Sequence, residues 1–479
     1  MTGDHQGFFI NNLWAKPASD KRFTIINAST GQPIATVPEG VEADMDAAVA
    51  AARHAFDHSG WASATPADRA AVMLRFMASM ANLGPDIASA VSAQNGMPIT
   101  LATMLEAQFP AGLLQYYASL ADALPTSEQR PSQMGRATQV DHAPIGVVAA
   151  IVPWNFPVTL AFSKIAPAML AGCTLVIKPS PGTVLDSYIV ARAALEAGVP
   201  PGVINIVAAD RDVGAYLVSH PGVDKVAFTG STGAGRSIAA TCGQLLRPVS
   251  LELGGKSAAI LLDDTDLSVF LPAIPLVSML NNGQACYNAT RILVPMARYD
   301  EMVDAIGQTV QGLTVGDAAD PATHVGPMAS AAHRDRVERY IAAGRGEARR
   351  ITGGGRPRGQ DHGWFVEPTV FADVANSATI AQEEIFGPVL SIIPYQDEGE
   401  AVRIANDSPF GLGGSVWSAD SARALAIAGQ VQSGTVGVNG YMPSLGSPFG
   451  GVKASGMGTE FGPEAVNGYR RAKSIYIMA

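Results

Sequence analysis

Cysteine is scarce in this 479-residue chain, which has only Cys173, Cys242 and Cys286. Three cysteines cannot build a disulfide framework, and their spacing matches no metal-ligand pattern, so no metal site is expected. Positive charge is also short. Thirty-two Lys and Arg against 42 Asp and Glu leave a net charge of −10, with no basic run. That balance argues against nucleic acid or an anionic membrane surface as partner. No apolar run reaches bilayer-spanning length. Met1 to Gln6 is polar and the next apolar stretch is brief, unlike a secretory signal. The expectation is a soluble, cytoplasmic protein. Internal repeats and low-complexity linkers are lacking as well.

What is present is apolar bulk. Hydrophobic residues make up 47% of the chain, and its length allows two or three domains with real cores. The first third reads as helical, over 45–56, from Pro66 through Met77, over 87–94, and over 99–120 with a break expected at Pro110. From Ile145 the pattern becomes strand, loop, helix. Apolar runs at 145–152, 174–177, 203–207 and 225–228 suit strands buried on both faces of a parallel sheet, with a helix over 186–196 covering it. Such sheets bind ligands beyond the carboxyl ends of their strands.

The loops after these strands carry the chemistry. Pro153-Trp154-Asn155-Phe156-Pro157 brackets an amide between two prolines, which fits a rigid turn or a precisely aimed side chain. Lys178-Pro179-Ser180-Pro181 places a cation at a strand end. Thr229-Gly230-Ser231-Thr232-Gly233 leads into a helix, where backbone N–H groups suit a phosphate. Its spacing is neither G-x-G-x-x-G nor a P-loop. Glu252, among apolar residues and followed by Gly254-Gly255, is a candidate base or an ion-paired structural acid. Cys286 ends the amide-rich run Asn281-Asn282-Gly283-Gln284-Ala285, a setting more reactive than an apolar shell. Glu384-Ile385-Phe386-Gly387-Pro388 and Pro448-Phe449-Gly450-Gly451 follow as turns.

In this order and approximate spacing these stretches resemble the aldehyde dehydrogenase superfamily, nearly end to end. The resemblance implies an α/β fold. Residues 1–123 and 143–254 would form a cofactor domain and 255–455 a catalytic domain, each on a mainly parallel sheet. Residues 124–142 and 456–479 would form an oligomerisation element of a homodimer or homotetramer. Cys286 would attack a small-molecule aldehyde to give a thiohemiacetal. Asn155 would stabilise the oxyanion, and Glu252 would activate the water that hydrolyses the thioester. The same resemblance implies that Lys178 contacts the adenosine ribose, Ser231 the pyrophosphate and Glu384 the nicotinamide ribose, with Phe386 beside the ring. Trp154, Ser180 and Gly230 complete the cofactor set, and Glu460 resembles a proton relay of some members.

Two departures bear on specificity. NAD-preferring members often carry Glu three residues after the lysine, and here Pro181 stands there. NAD is the expectation, with NADP as the alternative. The substrate tunnel is expected at Phe156, Leu160, Ser163, Tyr287 and Met442, widened where Ser163 replaces an aromatic. It has no Arg or Lys for an anionic substrate, so a hydrophobic, aromatic or terpenoid-like aldehyde is expected. The rivals are a CoA-acylating dehydrogenase, against which Glu252 argues, and a silent binding protein of the same fold.

Overall fold

Five parallel strands run through the middle of an eight-stranded sheet, ordered Ile204–Ile206, Thr174–Lys178, Val147–Ile151, Lys225–Thr229 and Val249–Glu252. In this computed structural model, which describes residues 5–478, every residue of the first four is buried. Helices pack on both faces, and this explains why the strands are apolar throughout rather than alternating. Of these five strands Val147–Ile151 comes first in the chain; the next two add to one side of it, and the last two return to build on the other. The reversal falls between Val147–Ile151 and Lys225–Thr229. A sheet of this kind has its ligand crevice at that point, because the loops leaving the two strands diverge.

A second sheet of seven strands runs in the order Arg349–Thr352, Thr369–Ala372, Val389–Tyr395, Arg291–Pro295, Ala258–Leu261, Gly414–Trp417 and Gly437–Val438. Only the first pairing is antiparallel. Both principal sheets are therefore mainly parallel, as expected. A third sheet is wholly antiparallel: Arg470–Ile477 pairs along its length with Ala137–Pro144, which pairs with Ser127–Arg130. Gly456–Met457 does not join this sheet, although it lies in the stretch assigned to oligomerisation. At φ +138° Gly456 lies so close to Leu251 that a side chain would not fit, and the pair closes the edge of the first sheet beside Val249–Glu252.

The first third is helical, over Glu42–His58, Pro66–Asn82 and Gly84–Asn95. The break expected at Pro110 lies earlier. A π-helical stretch, Ala102–Gln108, separates Ile99–Leu101 from Phe109–Ser119. Pro110 directly follows the π stretch, in which the Phe109 N–H still donates back to the Met104 carbonyl, and the widened turn lets the helix run on past a residue that has no N–H to donate.

The second sheet reaches the first through one turn. Asn281, Asn282 and Gly283 take left-handed φ of 51°, 61° and 82°, a conformation that Asn and Gly tolerate best. A Cβ on Gly283 would lie 2.1 Å from the carbonyl carbon of Gly387, so only glycine allows this contact. Asn282 fixes the turn, donating to the carbonyls of Gly96 at 2.8 Å and Pro327 at 2.9 Å and accepting from the N–H of Gly326 at 2.7 Å. No helix among the described residues is long and apolar enough to cross a membrane.

Candidate active site

Two cavities meet at Cys286. The first, of about 240 Å³, opens at the strand-order reversal and is lined by the loops that leave Val147–Ile151, Lys225–Thr229 and Val249–Glu252. Trp154, Asn155, Gly230, Ser231, Gly254, Glu384 and Phe386 face it together with Cys286. The second is apolar and lies on the other side of Cys286, among Leu105, Phe109, Phe156, Leu160, Tyr287, Met442, Phe449 and Phe461. One sulfur atom borders both. This is the arrangement that a reaction between a cofactor and an apolar substrate needs.

The amide-rich run holds Cys286 in place. Asn155 Nδ2 donates to the Gln284 carbonyl at 2.9 Å, and Asn281 Nδ2 donates to the Asn155 carbonyl at 2.8 Å. An amide nitrogen carries two hydrogens, so Asn155 keeps a second donor for an oxygen beside Cys286. Gly255 packs against the Cys286 carbonyl so closely that a Cβ would stand 2.2 Å from its oxygen. Burial pushes the Cys286 thiol up, and the carboxyls of Glu384 and Glu252 push it further. That direction favours the neutral thiol, so a sulfur in this setting needs a neighbouring base to become a nucleophile.

Glu252 ends its strand with both carboxyl oxygens buried and without a hydrogen-bond partner among the described residues. Burial, reinforced by Glu460 and opposed by Lys164, raises its pKa well above the ordinary carboxyl range. A carboxyl left without protein donors is available to take a proton from water or a thiol. Glu460 is engaged differently. Lys164 Nζ, fully buried on the helix Pro157–Ala171, donates to Glu460 Oε1 at 2.6 Å and Thr229 Oγ1 at 2.7 Å. Glu460 is therefore one half of a buried ion pair. The same residue also lines the apolar cavity.

The first cavity fits a dinucleotide. Ser231 caps the helix Thr232–Gln244, accepting from the Ala234 N–H at 3.3 Å, and the start of that helix opens on the cavity. Its first N–H groups have no intrahelical partner and suit an anion. A Cβ on Gly233 would meet nothing within 4 Å, so there is room at that end. Glu384 accepts from the Gly255 N–H at 2.8 Å and lines the cavity beside Gly254. Phe386, at φ +65°, stands edge-on to Trp154 at 5.4 Å.

Not every expected residue reaches a cavity. Ser163 is buried with its hydroxyl donating to the Leu160 carbonyl of its own helix at 3.0 Å, and it is not among the residues that line the apolar cavity. Lys178 and Ser180 follow the neighbouring strand, outside the lining of the first cavity. Lys178 Nζ donates to the Ala209 carbonyl at 2.8 Å, and burial lowers its pKa to about 8. Two cavity residues gave no signal in the sequence. His333 and Arg336, three apart on the helix Ala331–Glu347, hold the carbonyls of Phe386 at 2.7 Å and Glu384 at 2.8 Å. Their stretch, His333-Arg334-Asp335-Arg336, looks like any solvated helix face. Leu105 and Phe109 were missed because their stretch reads as an ordinary helix, and Phe461 because attention fell on Glu460 beside it.

Known proteins share this arrangement. A sequence profile described as the aldehyde dehydrogenase family matches residues 14–475. Geranial dehydrogenase of Castellaniella defragrans is 59% identical over 478 residues, covering 100% of both chains. The crystal structure of a Mycobacterium tuberculosis aldehyde dehydrogenase with NAD+ is 44% identical and superposes with a TM-score of 0.97, covering 100% of this chain and 99% of that one. A mutant of aldehyde dehydrogenase C from Pseudomonas syringae, crystallised with NAD+ and octanal, is 37% identical with a TM-score of 0.95 over 99% and 97% of the two chains.

The electrostatics of Glu252 give a signed expectation. A base whose pKa is raised by burial gains its active, ionised form as pH rises. Turnover should therefore climb with pH through the Glu252 titration, and Glu252→Gln should lose that limb and at least about 10²-fold of the rate. Stopped-flow NADH formation across pH measures this. A limb that persists unchanged in Glu252→Gln would remove Glu252 as the base.

Proposed function

The chain belongs to the aldehyde dehydrogenase family and is an NAD-dependent enzyme that oxidises an aldehyde to its carboxylic acid, and from that premise we propose which residues act and which aldehyde they take. The nucleophile is Cys286, because it is the one residue that borders both cavities. Glu252 takes the thiol proton, and the sulfur attacks the carbonyl carbon to give a thiohemiacetal. The free Asn155 amide hydrogen and the Cys286 N–H hold the oxyanion; losing one such donor typically costs ~10²–10³ in rate. Bound NAD supplies the acceptor for the hydride that leaves the carbon. Glu384, Gly230, Ser231, Trp154 and Phe386 hold that cofactor, with Lys178 and Ser180 at its far end. Glu252 passes that proton on to solvent and, ionised again, draws a proton from the water that attacks the thioester; the acyl carbon–sulfur bond breaks, the acid is freed and the Cys286 sulfur recovers a proton.

The substrate is a hydrophobic aldehyde of terpenoid type. The apolar cavity carries this reading. Phe109, Phe156, Phe449 and Phe461 form its walls, and its only charged side chain is the carboxyl of Glu460. An anionic substrate would meet that carboxyl and no cation, so its desolvation would go uncompensated. The similarity to geranial dehydrogenase supports the same class.

We assign self-association to the third sheet. Arg470–Ile477 is mostly exposed, and Ile475, Tyr476 and Met478 are apolar side chains that a monomer would leave in water. A cytoplasmic location is consistent with three unpaired thiols.

A substrate panel with NAD and NADP tests the specificity. Citral and medium-chain alkanals should exceed succinate semialdehyde in kcat/KM by at least roughly 10-fold. The products should be free acids whether or not CoA is present. Faster oxidation of the semialdehyde would overturn the assignment. Sedimentation at micromolar concentration should show a dimer or tetramer, and a monomer would refute the role given to the third sheet.

A further inference from the structure

Glu106 is fully buried and lies in the π-helical stretch Ala102–Gln108, a rare geometry that often marks functional positions. Its Oε2 accepts from the N–H of Val158 at 2.8 Å and of Thr159 at 3.4 Å. Those are the first free N–H groups of the helix Pro157–Ala171, for which Phe156 provides no side-chain cap. Glu106 thus does from another helix what an N-cap residue normally does locally. Thr159 completes the clamp by donating its hydroxyl to the Leu105 carbonyl.

The helix start so fixed is the segment that carries Asn155. On its other side the Asn155 carbonyl accepts from Asn95 at 3.1 Å and Asn281 at 2.8 Å. Gln94, beside Asn95, accepts from the Leu185 N–H at 3.0 Å and donates to Asp186. The Asn155 backbone is therefore held between the π turn, which caps the helix after it, and Asn95 and Asn281, which grip its carbonyl. We propose that Glu106 is a positioning residue that sets the Asn155 oxyanion donor by capping the helix that follows it. This rests on the assignment of Asn155 made above.

The chemistry of Glu106 suits the task. Burial, reinforced by Asp186, pushes its carboxyl up to about 8. Its second oxygen has no partner. A neutral carboxyl therefore fits the site at neutral pH, and a neutral amide of the same shape should replace it.

A double-mutant cycle tests the proposal with steady-state kinetics and NAD binding by fluorescence. Glu106→Ala should lower kcat roughly 10- to 100-fold, with KM for aldehyde and NAD affinity within about threefold of wild type. Glu106→Gln should restore kcat to within about threefold. In an Asn155→Ala background Glu106→Ala should cost no more than about twofold, because the donor it positions is gone. Equal losses from Glu106→Ala in both backgrounds would overturn the proposal, as would a Glu106→Gln as impaired as Glu106→Ala. If Glu106→Ala does not fold, Glu106→Asp, which draws the acceptor back by a methylene, takes its place in the cycle. An Asn155→Ala enzyme with full activity would instead refute the oxyanion assignment itself, so the two failures are distinguishable.

Discussion

The site depends on the contact between Gly283 and Gly387. A left-handed turn from one part of the chain presses its backbone against the loop that carries Glu384 and Phe386. No residue with a Cβ could make that approach, and without it Cys286 would not lie where the two cavities meet. The turn is paid for in backbone freedom, and the asparagine side chains recover it by hydrogen bonding to Gly96, Pro327 and Asn155. Covalent chemistry, cofactor contact and domain packing thus share one structural element.

Charge is the second constraint. Three carboxyls, Glu252, Glu384 and Glu460, surround a thiol, and Lys164 is the one cation bonded among them. Four ionised groups could not stay buried so close together, because desolvation would exceed what a single lysine returns. Glu460 pairs with Lys164. Burial raises Glu252, Glu384 and Cys286 alike, and at Glu384 the Gly255 N–H offsets part of that rise. Glu252 has the least support from donors of the three carboxyls, with neither oxygen hydrogen-bonded among the described residues.

Much of this was legible in the sequence, for identifiable reasons. The buried parallel strands showed as unbroken apolar runs, and the loops after them carried Trp154, Asn155, Ser231 and Glu252, so the first sheet and its crevice could be anticipated. Cys286 stood out by its amide-rich approach. Ser163 was misplaced because position along a helix does not say which way a side chain faces, and its hydroxyl donates to the Leu160 carbonyl. His333 and Arg336 were invisible because they act through backbone carbonyls of a distant loop, which leaves no local pattern. The π turn around Glu106 was mistaken for a kink at Pro110, since the sequence shows the proline and not the widened turn before it.

The central claim is that Cys286 forms the covalent bond to the substrate. Cys286→Ser should bind NAD as tightly as the native enzyme while its kcat for citral falls at least about 10³-fold. Steady-state NADH formation together with NAD titration measures both quantities on one preparation. Loss of turnover with cofactor binding intact is the predicted result, and a Cys286→Ser enzyme that retained full dehydrogenase activity would contradict it.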